Sequence, residues 1–164
     1  MSLEQVVSYL DARGYADRVR TFEVSSATVE LAAQAVGVPP AQIAKTLSFR
    51  AGERVVLVVA AGDAKVNSSK FKKAFGAKGC MLGHDEVEGL VGHPVGGVCP
   101  FAVREGVEVW LDESLRRFAE VYPAAGTPAS AVRLTPDELQ DACGDAFAGW
   151  CDVCKLPGTQ AVGE

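Results

Sequence analysis

The chain has 164 residues, 48% of them apolar, and a net charge of −5 from 21 acidic and 16 basic side chains. That length and apolar content suffice for one domain whose core needs neither metal nor disulfide staples. No apolar run approaches the roughly 20 residues of a membrane-spanning helix, and Met1 to Gln5 carries no basic segment leading into an apolar one, so the expected location is the cytoplasm.

The periodicity predicts a first amphipathic helix from Ser2 to Arg13, with Val6, Val7 and Leu10 on one face, Ser2 as N-cap and Gly14 as stop. A second helix is expected over Ser26 to Val36, closed by Gly37. Thr46 to Phe49 and Arg54 to Ala61 predict two strands joined at Ala51-Gly52-Glu53. The run Val55 to Val59 is apolar on both faces and predicts a central, buried strand.

Asn67 or Ser68 is placed to cap a short helix running to Gly76, followed by a strand at Cys80 to Leu82 and one or two helical turns from Asp85 to Leu90. Val98 to Val103 and Val107 to Leu111 predict a hairpin around Arg104-Glu105-Gly106. Later strands fall at Ala119 to Tyr122 and Ala131 to Leu134. Thr135-Pro136-Asp137-Glu138 opens a last helix with a Thr cap, Pro at the first helical position and Glu three residues after the cap. Short strands and helices without regular alternation argue for an α+β class. One domain over residues 1–154 and a tail over 155–164 are expected.

Two segments carry chemistry. In Gly92-His93-Pro94-Val95-Gly96-Gly97-Val98-Cys99-Pro100-Phe101 a diglycine turn lets backbone amides approach a ligand closely, which suits a carbonyl oxygen or a phosphate. In Ile43-Ala44-Lys45-Thr46-Leu47-Ser48-Phe49 a single lysine enters an apolar strand, where its ammonium needs an anionic partner from a ligand, against the alternative that it pairs with a nearby carboxylate or reaches solvent. Phe49, Val98, Cys99 and Phe101 are suited to wall such a pocket. Cys99 with His93 could also form a thiol–imidazole pair, against the alternative that Cys99 is a small core residue.

The remaining cysteines, Cys80, Cys143, Cys151 and Cys154, give an odd total of five, and the one CxxC at Cys151 to Cys154 lacks two further spaced ligands. Reduced thiols without metal or cofactor are expected. Lys65, Lys70, Lys72, Lys73 and Lys78 fall in a window free of Asp and Glu, which by itself reads as a solvated helix face.

In this order and spacing, Thr28-Val29-Glu30-Leu31-Ala32-Ala33, Ile43 to Leu47, Val55 to Gly62, Gly92 to Phe101, Ala125-Gly126-Thr127 and Leu134 to Leu139 resemble the YbaK/EbsC family of aminoacyl-tRNA deacylases, relatives of the editing insertion of bacterial prolyl-tRNA synthetases. The resemblance implies a mixed, mostly antiparallel, β-barrel-like sheet flanked by helices. It implies trans-editing hydrolysis of a mischarged aminoacyl-tRNA, carrying a small amino acid such as Cys, Ala or Pro, without metal, cofactor or enzyme nucleophile.

Carried onto this chain, it makes Lys45, Gly96, Gly97 and Val98 the catalytic set. Thr46, Phe49, Cys99, Pro100, Phe101, Asp112, Gly126 and Thr127 become substrate contacts, and the five-lysine window becomes a contact for the tRNA backbone. Asp112 reads equally as the N-cap of the segment from Glu113 to Phe118. The implied partners are aminoacyl-tRNA and an aminoacyl-tRNA synthetase, with neither DNA nor membrane. Two other readings stand beside this one: a non-catalytic module that binds a tRNA end or aminoacyl-adenosine beside a synthetase, and a cysteine hydrolase acting through Cys99.

Overall fold

A computed structural model describes residues 2–23 and 28–157. In chain order it places α1 (Ser2–Asp11), β1 (Val19–Thr21), α2 (Val29–Val36), β2 (Ile43–Ala51), β3 (Arg54–Ala61), β4 (Lys65–Val66), α3 (Ser68–Phe75) and β5 (Gly79–Met81). The second half holds α4 (His84–Val91), β6 (Glu108–Asp112), β7 (Tyr122–Pro123), β8 (Ser130–Val132), α5 (Pro136–Cys143), β9 (Phe147–Cys151) and β10 (Cys154–Lys155).

The apolar run in β3 is buried as its pattern predicts except at Val55, which is half-buried. Every residue from Val56 to Ala61 is fully buried, since helices and loops cover both faces of this strand. β2 pairs with it antiparallel from Ala44–Ala61 to Ala51–Arg54, and β6 pairs with it in parallel from the other side, followed by β9. The main order is β5-β2-β3-β6-β9, with β7 added to β2. Two departures from the expected sheet follow. It is open rather than closed into a barrel, and three of its pairings, β2–β7, β3–β6 and β6–β9, are parallel.

Helix boundaries follow the capping chemistry. Thr135 Oγ1 accepts from Glu138 N at 3.1 Å while Glu138 Oε1 accepts from Thr135 N at 2.9 Å, the reciprocal box expected from the sequence. Asn67 Oδ1 caps α3 by accepting from Lys70 N at 3.0 Å. Thr28 caps α2 by accepting from Leu31 N at 3.1 Å, so that helix starts later than Ser26, which lies outside the described residues. Ser2 is the first residue of α1 rather than its cap, and its side chain lies outside the described residues.

The expected hairpin from Val98 does not form. Pro100 has no N–H to give a ladder, Ala102 takes a left-handed φ of 53°, and the Arg104 N–H turns back to Val91 O at 2.9 Å. At the C-terminus, Cys154–Lys155 pairs antiparallel with Lys65–Val66, and Leu156 packs on the core. Strand structure thus reaches into the segment expected as tail, of which residues 158–164 lie outside the described residues.

Two terminal elements are tied together. Val6 and Leu10 of α1 are fully buried, Tyr9 Oη donates to Ala142 O at 2.7 Å, and Tyr15 Oη donates to Asp141 Oδ2 at 2.9 Å. Arg18 makes a two-pronged ion pair with Glu138, with Nη2–Oε2 at 2.9 Å. Among the described residues no helix is long and apolar enough to cross a membrane.

Candidate functional site

One edge of β2 is shared by two partners. β5 takes Phe49 to Ala51 and β7 takes Ile43 and Ala44, which leaves Lys45, Thr46 and Leu47 with no strand neighbour on that side. A cavity of about 350 Å³ fills the gap. Its floor is Ile43 to Ser48. α2 contributes Val29 and Ala32, α4 contributes His84 and Val87, and two loops contribute Gly96, Val98, Thr127 and Pro128.

Of the residues expected at a site, Lys45, Thr46, Gly96, Val98 and Thr127 meet here. Thr46 is the most telling. Its Oγ1 is buried and has no hydrogen-bond partner, a cost that a folded chain seldom leaves unrelieved without a ligand or a water to meet it. The backbone amides of Gly96 and Val98 have no partner among the described residues, whereas the Gly97 N–H is spent on Pro94 O at 3.0 Å.

Gly97 is therefore not one of the free donors. It lies behind the wall, where a Cβ would stand 2.5 Å from Gly126 O. Gly126, at a left-handed φ of 95°, supplies the carbonyl against which Gly97 packs. Ser130, 3% exposed, fixes that loop: its Oγ donates to Thr127 O at 2.9 Å and accepts from Ala125 N at 3.0 Å.

The Lys45 ammonium donates to Gly62 O at 3.3 Å and to Ala64 O. Burial lowers its pKa below the ordinary lysine value, opposed by the neighbouring Cys154 and Asp63. Its stem lines the cavity while its charge rests on two carbonyls of the turn after β3.

Four expected contacts stand elsewhere. Cys99, Pro100 and Phe101 are core residues; Cys99 and Phe101 are wholly buried. Phe49 faces a neighbouring groove, its ring 4.8 Å from that of Phe71. The causes differ: β5 pairs with β2 from Phe49 onward, past the open edge that forms the cavity, and the bend after Val98 carries the chain inward.

Asp112 is also structural. At 1% exposure, its Oδ2 accepts from Ser114 N and its Oδ1 from Val153 N, both at 2.9 Å, so it caps one turn and anchors the Cys151–Cys154 bend. The N-cap reading holds, and the carboxyl does not line the cavity.

A cysteine–histidine nucleophile is excluded by hydrogen-bond direction. His93 is fully buried, and its Nε2 lies 2.6 Å from Phe101 O. A carbonyl only accepts, so Nε2 carries the proton and cannot take one from Cys99 Sγ, 3.5 Å away. Burial further pushes the Cys99 thiol up to about 12.

Sequence reasoning missed Val29, Ala32, His84 and Ser130. Helix periodicity marked the elements that carry the first three, but which face meets a cavity depends on packing between distant segments.

Comparison with known proteins decides the family. A model of the aminoacyl-tRNA editing domain matches residues 23–142. The chain belongs to the aminoacyl-tRNA editing domain family. Over 156 residues it is 47% identical to the uncharacterized protein YwhH of Bacillus subtilis, spanning 94% of this chain and 98% of that one. The editing domain also resembles a proline–tRNA ligase of Bacillus cytotoxicus, at 35% identity over 81 residues, 49% of this chain and only 14% of the ligase. Among solved structures it superposes with a TM-score of 0.81 and 32% identity on one described as a candidate trans-editing enzyme for prolyl tRNA synthetase, covering 90% of this chain and 95% of that one.

Proposed function

We propose that this protein hydrolyses the ester of a mischarged aminoacyl-tRNA bearing a small amino acid, acting in trans in the cytoplasm, beside a synthetase, and without an enzyme nucleophile. The observation that carries this reading is the convergence of Lys45, Thr46, Gly96, Val98 and Thr127 on one cavity, with the Thr46 hydroxyl unpartnered.

The acyl group enters between α2 and α4, whose Ala32 and Val87 limit its size. A methylene there is worth only about 1–3 kcal/mol, so related small amino acids compete. Water, alone or oriented by the free hydroxyl of the terminal ribose, adds to the ester carbonyl, and one of its protons passes to the ribose oxygen that leaves. The carbon–oxygen bond to the ribose then breaks, releasing the amino acid and the free tRNA end.

The amides of Gly96 and Val98 are the donors to the tetrahedral oxyanion, an effect of about 3 kcal/mol for a well-placed donor. Thr46 orients the ester or the attacking water. Lys45 leaves the carbonyls of Gly62 and Ala64 to hold the carbonyl oxygen or the terminal phosphate, with those two acceptors keeping the ammonium in place between turnovers.

The test is a panel of Cys-, Ala- and Pro-charged tRNAs incubated with wild type and with Lys45→Ala. Release of amino acid from at least one member by the wild type, lost in the variant, supports the reading. Failure of the wild type to release any refutes it.

A further inference from the structure

Seven ion pairs are formed among the described residues, and they use six arginines and a single lysine, Lys70 with Asp152 at 3.0 Å. Lys65, Lys72, Lys73, Lys78 and Lys155 take part in none. Four of these are exposed in and around α3, and the fifth, Lys155, is exposed on β10.

They belong to one region of the fold. β10 pairs with β4, α3 follows β4 directly, and Lys78 stands just before β5. The two carboxylates nearest to this region in the chain are already neutralised, Asp63 by Arg117 and Asp152 by Lys70.

Within it, Lys65 and Lys155 are directly opposed in the antiparallel ladder. Like charges in that position share one face and repel, so folding alone gives no reason for the pair. An anion lying across both would supply one.

The region also adjoins the cavity. A groove of about 320 Å³ runs along the other side of β2 between Lys65, Ser68 and Phe71, and it shares Lys45, Leu47 and Met81 with the cavity wall. Met81, 62% exposed, and Val95, 47% exposed, form an apolar rim at the mouth.

We infer that this lysine face is the track for the phosphodiester backbone of the RNA whose acyl end occupies the cavity. The inference rests on the reading of the substrate as aminoacyl-tRNA. Phosphates run over Lys65 and Lys155 and onward across Lys72, Lys73 and Lys78, while Lys45 stands where the backbone gives way to the acyl ester. A chain of net charge −5 thereby attracts a polyanion through local charge rather than overall charge.

The experiment measures affinity for an uncharged acceptor-stem RNA hairpin against salt concentration, for wild type, Lys65→Gln/Lys155→Gln and Lys72→Gln/Lys73→Gln. Each double variant is expected to flatten the slope of log affinity on log salt by about 2, and with aminoacyl-tRNA the loss falls on KM. Lys65→Gln/Lys155→Gln is also expected to melt no lower than wild type, since it removes a repulsion. Unchanged slope and affinity in both variants overturn the assignment and leave the face to an acidic protein surface. Hairpin binding that depends on these lysines without any deacylation sinks the activity and keeps the track. Deacylation with affinity indifferent to the lysines sinks the track alone.

Discussion

Gly97 and Gly126 touch backbone to backbone: a methyl group added to Gly97 would sit 2.5 Å from the Gly126 carbonyl oxygen. That contact locks the loop carrying Gly96 and Val98 onto the loop carrying Thr127. Gly97→Ala must force the two apart, at about 1–3 kcal/mol. We expect a lower melting temperature together with a loss of deacylation. Gly89→Ala is the control, since nothing lies within 4 Å of a Cβ there and alanine favours the helix. It should melt slightly higher, and equal melting of the two variants would dismiss the loop contact.

Thr46 sets stability against turnover. Valine has nearly the same shape and lacks the buried hydroxyl that the fold leaves unsatisfied. Thr46→Val should raise stability by about 1 kcal/mol in urea denaturation. It should also lower kcat/KM about tenfold, equivalent to about 1.4 kcal/mol in the barrier. A stabilised variant of full activity would reduce Thr46 to a piece of wall.

Thiol chemistry gives a prediction with a spatial address. Cys80 is exposed, while Cys99, Cys143, Cys151 and Cys154 are buried, and burial pushes all four of those thiols upward. Iodoacetamide applied to the native protein should label Cys80 by mass spectrometry and leave deacylation intact. Cys99→Ala, checked for folding by its melting curve, should keep turnover within about twofold, because this thiol forms no bond in the proposed reaction and a twofold change is only about 0.4 kcal/mol in the barrier. Label on Cys99 accompanied by inactivation would reinstate a covalent mechanism.

The Arg18–Glu138 pair makes an acid-dependent contribution. The Arg18 guanidinium, helped by the Thr135 N–H, lowers the Glu138 carboxyl to about 2. Because the folded pKa is depressed, the stabilisation is present in full above the unfolded pKa of about 4.3 and is lost as pH falls through about 2. The two side chains are 25% and 27% exposed and screened by solvent, so the pair's contribution is small. Glu138→Gln retains a capping-box residue and removes only the charge. Its urea midpoint should lie below wild type at pH 7 and merge with it as the pH approaches 2, and a gap that persists there would assign the loss to packing.

Residues whose meaning is local were legible in the sequence. Thr135 and Asn67 announce helix starts because a cap needs only its own next turn, and Val55 to Val59 announce a buried strand because a strand apolar on both faces belongs inside a sheet. Lys45, Thr46, Gly96, Val98 and Thr127 were named and do converge. Phe101 was misplaced, and for Cys99 and Asp112 the sequence left a structural reading beside the site reading without choosing, because their surroundings come from afar: the Phe101 carbonyl is turned toward the His93 ring, and Asp112 is bonded to Val153, forty-one positions on. No spacing rule reports which way a chain turns after proline, nor that β2 would share one edge between two partners and open a gap.

The N-terminal tie described above has a practical corollary. The family match begins at residue 23 and stops at 142, yet Val6 and Leu10 plug the core from outside that span, Tyr9 and Tyr15 grip α5 near its end, and Arg18 grips it near its start. A fragment trimmed to the matched borders would expose two vacant sockets and release the last helix from its clasp, so the cooperative unit is wider than the recognisable one.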